Sequence, residues 1–273
     1  MRNSLSELSD FRQPQAIRKM KLMNEIAIIT GSSRGLGKSM ALRLADQGVD
    51  VVVTYQSKEK EAREVVAEIQ KKGRKAAALQ LDVGDARSFG AFAERVKAEL
   101  ERTWKRGTFD FLVNNAGTGH HALFAQTTED AFDHLVNVHL KATFFLTQKL
   151  LPLLANGGRI VNISSGLARF TFPGAAAYAA MKGGVEVLTR YMAKELGARG
   201  ISVNTLAPGA IETDFNGGLV RDNKDLNAMV AAQTALGRVG LPDDVGGAVA
   251  MLLAPGSAWI TGQRIEVSGG MLL

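Results

Sequence analysis

EIAIITGSSRGLGKSMALRLADQG, residues 25–48, decides the fold. The run before Gly31 is short and apolar on both sides, which is the signature of a buried strand. From Gly35 onward Leu36, Met40, Leu44 and Ala45 recur at helical spacing, and Gly48 supplies a C-terminal stop. Between strand and helix lies TGSSRGLG, with Gly31, Gly35 and Gly37. Glycines here let the backbone turn tightly and come close to a ligand, and the helix start offers its N–H groups to an anion such as a pyrophosphate. VDVVVTY follows as a second buried strand, so the chain opens with a strand–turn–helix–strand unit.

The same alternation continues to the C-terminus. SKEKEAREVVAEIQKKG is an amphipathic helix with Val65, Val66 and Ile69 inward, and KAAALQLDV is a third strand. Residues 86–104 read as helix, and FDFLVNNAG is a fourth strand ending in a glycine turn. A helix over about 128–151, a strand at 159–164 and a helix over about 175–198 come next. ISVNTLAPG, a helix over 243–254 and GQRIEVSGG complete seven strands. Strands this uniformly apolar, separated by helices, form a parallel sheet covered on both faces. The expected fold is α/β: one doubly wound domain over 24–273. Ligands in such sheets sit at the carboxyl ends of the strands, here the loops after Thr30, Val113, Ser164 and Ala207.

The totals narrow the chemistry. The 273 residues are 46% hydrophobic and contain no cysteine, which excludes disulfides, thiol nucleophiles and Cys-ligated zinc. His120, His121, His134 and His139 do not form a metal-binding motif, so no metal is expected. No apolar run reaches the ~20 residues of a membrane helix. The net charge is +6, but residues 1–23 hold five basic and two acidic residues, half of that excess. The rest is too dilute for a nucleic-acid footprint. Residues 1–23 lack the apolar core of a secretory signal and are expected to be a flexible extension, with Met20 or Met23 as candidate starts. A cytoplasmic protein is the expectation.

GLARFTFPGAAAYAAMKGG, residues 166–184, carries the chemistry. Tyr178 and Lys182 leave one face of a helix, one turn apart. A cation beside a phenol favours the phenolate. Ser165 stands thirteen residues before Tyr178, at the end of the RIVNISS strand. A hydroxyl, a phenol and an ammonium together polarise a carbonyl and deliver a proton to it. Asn115, in the turn after the fourth strand, is placed to shape the crevice floor through backbone bonds.

TGSSRGLG, Asp82–Val83, NNAG, Asn137, NISS, Tyr178-x-x-x-Lys182 and APG at 207–209 occur in this order. The chain thereby resembles the single-domain branch of the short-chain dehydrogenase/reductase family over about residues 26–271. The resemblance implies a seven-stranded Rossmann fold binding NAD or NADP. It implies Tyr178 as acid/base, Ser165 as partner of the carbonyl oxygen, and Lys182 as holder of the nicotinamide ribose that lowers the Tyr178 pKa. Asn137 would anchor a water leading from Lys182 to solvent. Cofactor contacts would come from Gly31, Ser32, Ser33, Arg34, Gly35 and Leu36 in the first turn, and from Ser57 after the second strand. Asp82 and Val83 follow the third strand, and Asn115, Ala116 and Gly117 the fourth. Tyr178 and Lys182 would also touch the cofactor, with Pro208, Gly209, Ile211 and Thr213 beside the carboxamide.

An NAD-selective site carries an acid at the end of the second strand. Thr54, Tyr55 and Gln56 stand there instead, while Arg34, Ser57 and Lys58 are available to a 2′-phosphate. NADP(H) is therefore expected to be preferred, with NAD(H) usable. Residues 214–233 read as a mobile lid over a substrate wall drawn from 118–121 and 167–172. The family resemblance further implies a homotetramer, with Val185, Leu188 and Met192 as interface positions. The pattern is similar to 3-oxoacyl-carrier-protein reductases and related ketoreductases, which implies NADPH-dependent reduction of a ketone or 3-oxoacyl group. A sugar dehydrogenase is the alternative, and a non-catalytic dinucleotide sensor the remote one.

Overall fold

Along β1 (Ile26–Ile29) alternate side chains enter two different cores. Ala27 and Ile29 join the cluster on one face of the sheet, Ile26 and Ile28 the cluster on the other. All four are fully buried, which is why the strand shows no polar alternation. The computed structural model describes residues 24–273, so the expected N-terminal extension lies outside the described residues.

The chain continues as α1 (Gly35–Asp46), β2 (Asp50–Tyr55), α2 (Glu59–Lys71), β3 (Ala76–Gln80), α3 (Phe89–Trp104) and β4 (Phe109–Asn114). Then come α4 (Glu129–Leu135), a π-helical turn (Val136–Lys141), α5 (Ala142–Leu150), β5 (Leu154–Ile163), α6 (Ala176–Leu196) and β6 (Ser202–Pro208). Two short helices, α7 (Leu219–Asp222) and α8 (Lys224–Ala232), precede α9 (Pro242–Leu252) and β7 (Arg264–Val267). The seven strands pair in parallel in the order β3-β2-β1-β4-β5-β6-β7. The strand order reverses between β1 and β4, which opens a crevice there at the carboxyl ends. One core cluster packs α1, α2 and α9 on the sheet, and the other packs α3, α5 and α6.

Three expectations change. The single helix expected over 128–151 is interrupted by the π-helical turn at Val136–Lys141, which bears on the site below. The segment after Thr213 contains α7 and α8, so the expected lid is largely helical. Val185 is a core residue and Met192 packs against the α3–α5–α6 cluster, so neither faces outward for an interface. Helical spacing alone does not say which stripe of α6 meets the sheet. The exposed apolar side chains of this region are Val187 and Tyr191 on α6 with Phe144 and Phe145 on α5. No helix among the described residues is long and apolar enough to cross a membrane.

Candidate active site

A cleft of about 840 Å³ opens over the carboxyl ends of the strands. Its floor is built around Thr30. The Thr30 hydroxyl accepts the backbone N–H groups of Asn115 (2.8 Å) and Ala116 (2.9 Å). The Asn115 amide donates back to the Thr30 carbonyl at 2.8 Å and the Gly31 carbonyl at 3.2 Å. These bonds join the two turns at the switch point, as expected for Asn115. A Cβ on Gly37 would lie 2.7 Å from Asn115 Nδ2, so the start of α1 can come this close only with glycine. Arg34, the N-cap of α1, makes no side-chain cap bond, and the first turn holds no acid. The leading N–H groups of α1 thus have no capping side chain, as an anion-binding helix start requires.

Gly31, Ser33, Arg34, Gly35, Leu36, Ser57, Asp82, Val83, Asn115, Ala116 and Gly117 all line the cleft. So do Pro208, Gly209, Ile211 and Thr213. Ser32 does not. It is fully buried, its hydroxyl donates to the Ile29 carbonyl (2.8 Å) and accepts from the Thr54 N–H (2.9 Å). Thr54 in turn accepts the Gly31 N–H at 2.9 Å. Ser32 therefore fastens β1 to β2 and is not a ligand contact. The ribose end of the cleft carries Tyr55, Gln56, Ser57 and Lys58 with no carboxylate at the strand end. Arg34 points across the mouth to Asp214, 3.7 Å away.

Ser165, Tyr178 and Lys182 meet in the cleft. Lys182 is 5% exposed, donates to the Ile163 carbonyl at 2.8 Å, and sits 5.5 Å over the centre of the Tyr178 ring. Burial pushes its pKa down to about 8. Burial also raises the Tyr178 pKa above the ordinary phenol value, and the neighbouring Ser165 hydroxyl partly offsets this. The Lys182 ammonium lies 5.5 Å from the centre of the ring and donates to the Ile163 carbonyl. Ser164 faces away, bonded to Glu186 at 2.7 Å. Arg264, paired with Glu186 at 2.8 Å, donates to the Ser165 carbonyl at 3.4 Å and so steadies the strand end.

Asn137 does not reach the cleft; His139 does. Two positions apart on the π-helical turn, the two side chains leave well-separated sides of the segment. His139 is 2% exposed and meets the Tyr178 ring edge-on, with centroids 5.2 Å apart. Its Nε2 lies 2.7 Å from the Thr118 carbonyl. Gly117 makes room for it, since a Cβ there would stand 2.8 Å from His139 Cε1. Burial, then the charge of Lys182, holds the imidazole pKa down at about 3, so the ring is neutral. Below the site runs a polar chain inside the protein. Asn114 donates to Thr147 (3.0 Å) and Asn162 (2.8 Å), Asn162 to Thr189 (2.9 Å), and Thr205 to Thr189 (2.7 Å). A polar residue in an otherwise apolar strand is the one signal that announces it.

The remaining wall combines apolar Leu167, Phe170, Phe215, Leu219, Met229 and Met271 with polar His120, His121, Asn216 and Gln233. Phe215 comes within 6.0 Å of the Tyr178 ring, centre to centre. A Cβ on Gly119 would collide with the Asn216 amide, so the segment before α7 rests on the loop after β4. Among the described residues no cluster of His, Asp or Glu is arranged to hold a metal.

A nucleotide-sized cleft at the switch point, with serine, tyrosine and lysine at one end, defines a nicotinamide-dependent oxidoreductase of keto and CH–OH groups. A family model described as enoyl-(acyl carrier protein) reductase matches residues 31–272. The chain is 38% identical over 253 residues to the 3-oxoacyl-[acyl-carrier-protein] reductase of Staphylococcus aureus, covering 92% of this chain and 99% of the relative. It superposes with a TM-score of 0.88 on LugOII, a promiscuous reductase catalysing keto-reduction at C1 during lugdunomycin biosynthesis. That pair is 39% identical and covers 93% of this chain and 100% of LugOII. The angucycline C-6 ketoreductase LanV with bound NADP superposes at 0.86, with 33% identity and coverage of 91% and 95%. The chain belongs to the short-chain dehydrogenase/reductase family.

Proposed function

We propose that the protein is an NADPH-dependent reductase of ketones carrying an extended apolar body, an acyl chain or a ring system. The observation that carries this reading is the meeting of Ser165, Tyr178 and Lys182 at the apolar end of the cleft. The residues present suit the dinucleotide: an uncapped helix start for the pyrophosphate, Lys182 for the ribose, and no acid at the end of β2. Bound NADPH supplies the hydride. Ser165 holds the substrate oxygen, and Tyr178 gives it the proton it needs as negative charge develops. A phenol whose pKa is raised by burial keeps that proton at neutral pH until the transition state. Lys182 keeps one donor on Ile163 and has two more for ribose hydroxyls.

NADP(H) preference rests on Arg34, Ser57 and Lys58 at the ribose end, and the NADP bound to LanV is in keeping with it. A ketone with an apolar body ranks ahead of a sugar because Leu167, Phe170, Phe215, Leu219, Met229 and Met271 give the wall more apolar than polar side chains. The exposed Val187 and Tyr191 on α6 and Phe144 and Phe145 on α5, helices packed on the same face of the sheet, suit the proposed homotetramer, since exposed apolar groups favour burial against a second copy. A panel of β-ketoacyl thioesters, aromatic ketones and glucose, followed by NADPH absorbance, tests the reading. Turnover of ketones is expected. Oxidation of glucose with no ketone reduction would overturn it.

A further inference from the structure

Four large apolar side chains of the cleft wall lie open: Phe172 and Leu219 are 47% exposed, Phe215 and Met229 42%. Uncovered apolar groups in a concave site mark where an apolar molecule is held. Two phenyl rings of this wall stand beside the catalytic pair. Phe170 lies against Gly166, the residue after Ser165, where a Cβ would stand 2.6 Å from its ring. Phe215 approaches the Tyr178 ring at 6.0 Å between centres, with the planes tilted by 55°. Each of the two residues that hold the carbonyl oxygen therefore has a phenyl ring for a neighbour. A pair of aromatic rings gains more than the area it buries accounts for.

Charge separates an acyl chain from a ring system. Among the described residues, the arginine and lysine side chains lining the cleft are Arg34, Lys58 and Lys182. The first two stand at the ribose end and the third beside Tyr178. An acyl thioester arrives on a carrier bearing phosphate, and no ammonium or guanidinium lines the substrate end to receive one. That end offers His120, His121, Asn216 and Gln233, drawn from three separate segments. Their donors and acceptors suit hydroxyl or oxo groups set around a ring. A rigid ring also has no rotors to order on binding, unlike a chain. We propose that the substrate is a ketone carried on a fused aromatic ring system, and that Phe170 and Phe215 select it. The proposal rests on the ketoreductase reading and narrows it.

Three ten-carbon ketones isolate the ring: 2-tetralone, with one aromatic ring; 2-decalone, the same skeleton saturated; and 2-decanone, an open chain. The carbonyl of 2-tetralone is not conjugated to its ring, so its intrinsic reactivity stays close to that of 2-decalone. With NADPH, kcat/KM for 2-tetralone should exceed that for 2-decalone by roughly 2- to 12-fold, the range of one aromatic pair. Both 2-decanone and acetoacetyl-coenzyme A should be poorer still. Phe170→Leu and Phe215→Leu keep apolar volume and lose the ring face, so each should lower the 2-tetralone to 2-decalone ratio. Equal kcat/KM for the two bicyclic ketones would overturn the proposal. So would preference for 2-decanone or acetoacetyl-coenzyme A, or an unchanged ratio in Phe215→Leu with the parent Tm. Calorimetric titration of 2-naphthol into the enzyme with NADP+ reads the ring site without turnover. Binding is expected, weakened in Phe215→Leu by the same factor, and a parent that does not bind 2-naphthol refutes the ring site. If 2-naphthol binds in this way and no ketone is reduced, the ketoreductase reading fails and the ring site stands.

Discussion

Replacing Arg34 by alanine tests the group proposed to set cofactor choice. A charge-assisted bond to a phosphate is worth about 1.5–3 kcal/mol. Two features of the structure reduce that figure. The Arg34 side chain is 60% exposed, so water competes for it, and its pairing with Asp214 at 3.7 Å must be given up. An exposed pair of this kind contributes at most about 1 kcal/mol. The net difference is then about 1–2 kcal/mol, or roughly 5- to 30-fold. The measurement is kcat/KM for NADPH and NADH at one pH and one salt concentration, in the parent and in Arg34→Ala. The parent is expected to favour NADPH at least ~10-fold, the variant to lose most of that margin, and NADH to change by less than about 2-fold. Arg34→Ala lowering both cofactors equally would show that the residue serves the turn or the Asp214 link. Equal use of both cofactors by the parent would refute the reading of the ribose end altogether.

Tyr178→Phe keeps the ring against His139 and Phe215 and removes the proton, so kcat should fall at least ~100-fold while NADPH binding by fluorescence is nearly unchanged. The Lys182 pKa of about 8 lies below its unfolded value of about 10.4, so between these values the unfolded chain binds more protons and stability from this group rises with pH. Urea unfolding at about pH 7 and about pH 10 should show that rise in the parent and not in Lys182→Met, after subtraction of the common background. Thr189→Val leaves Asn162 and Thr205 without their shared acceptor and should cost about 1–3 kcal/mol by urea midpoint, with the slope unchanged. Tyr191→Asp with Phe144→Ser should reduce the mass seen by light scattering if the α5–α6 face is an interface, and a monomeric parent would remove that premise.

Much of the fold was legible because the central strands are apolar on both faces. Ile26–Ile29 and Asp50–Tyr55 announce themselves that way, and the glycines of the first turn mark where a chain must pass close to its own backbone. The meeting of Ser165, Tyr178 and Lys182 followed from helix spacing, strand position and the family pattern. Three things did not follow. Ser32 and Ser33 are adjacent and chemically identical, and only the direction of the strand end turns one inward and the other to the cleft. The outward stripe of α6 depends on how the helix lies on the sheet, which a helix with small residues along much of its surface does not reveal. The effect of Lys182 on Tyr178 depends on where the ammonium points, a matter of ångströms beyond the reach of one-turn spacing.

The π-helical turn at Val136–Lys141 has a bearing on how such a chain changes over time. A π-turn holds one residue more than the α-turn it replaces, and so reads as a single-residue insertion in a helix. Deleting one residue from this turn restores continuous α-helix with the flanking turns still in phase, so the change of facing falls on the residues inside the turn. His139 sits inside the turn and changes facing with it. Substitution at 139 alters the group beside Tyr178, whereas deletion alters which residue stands there at all. One codon lost from this stretch is thus a larger chemical event at the site than most replacements within it.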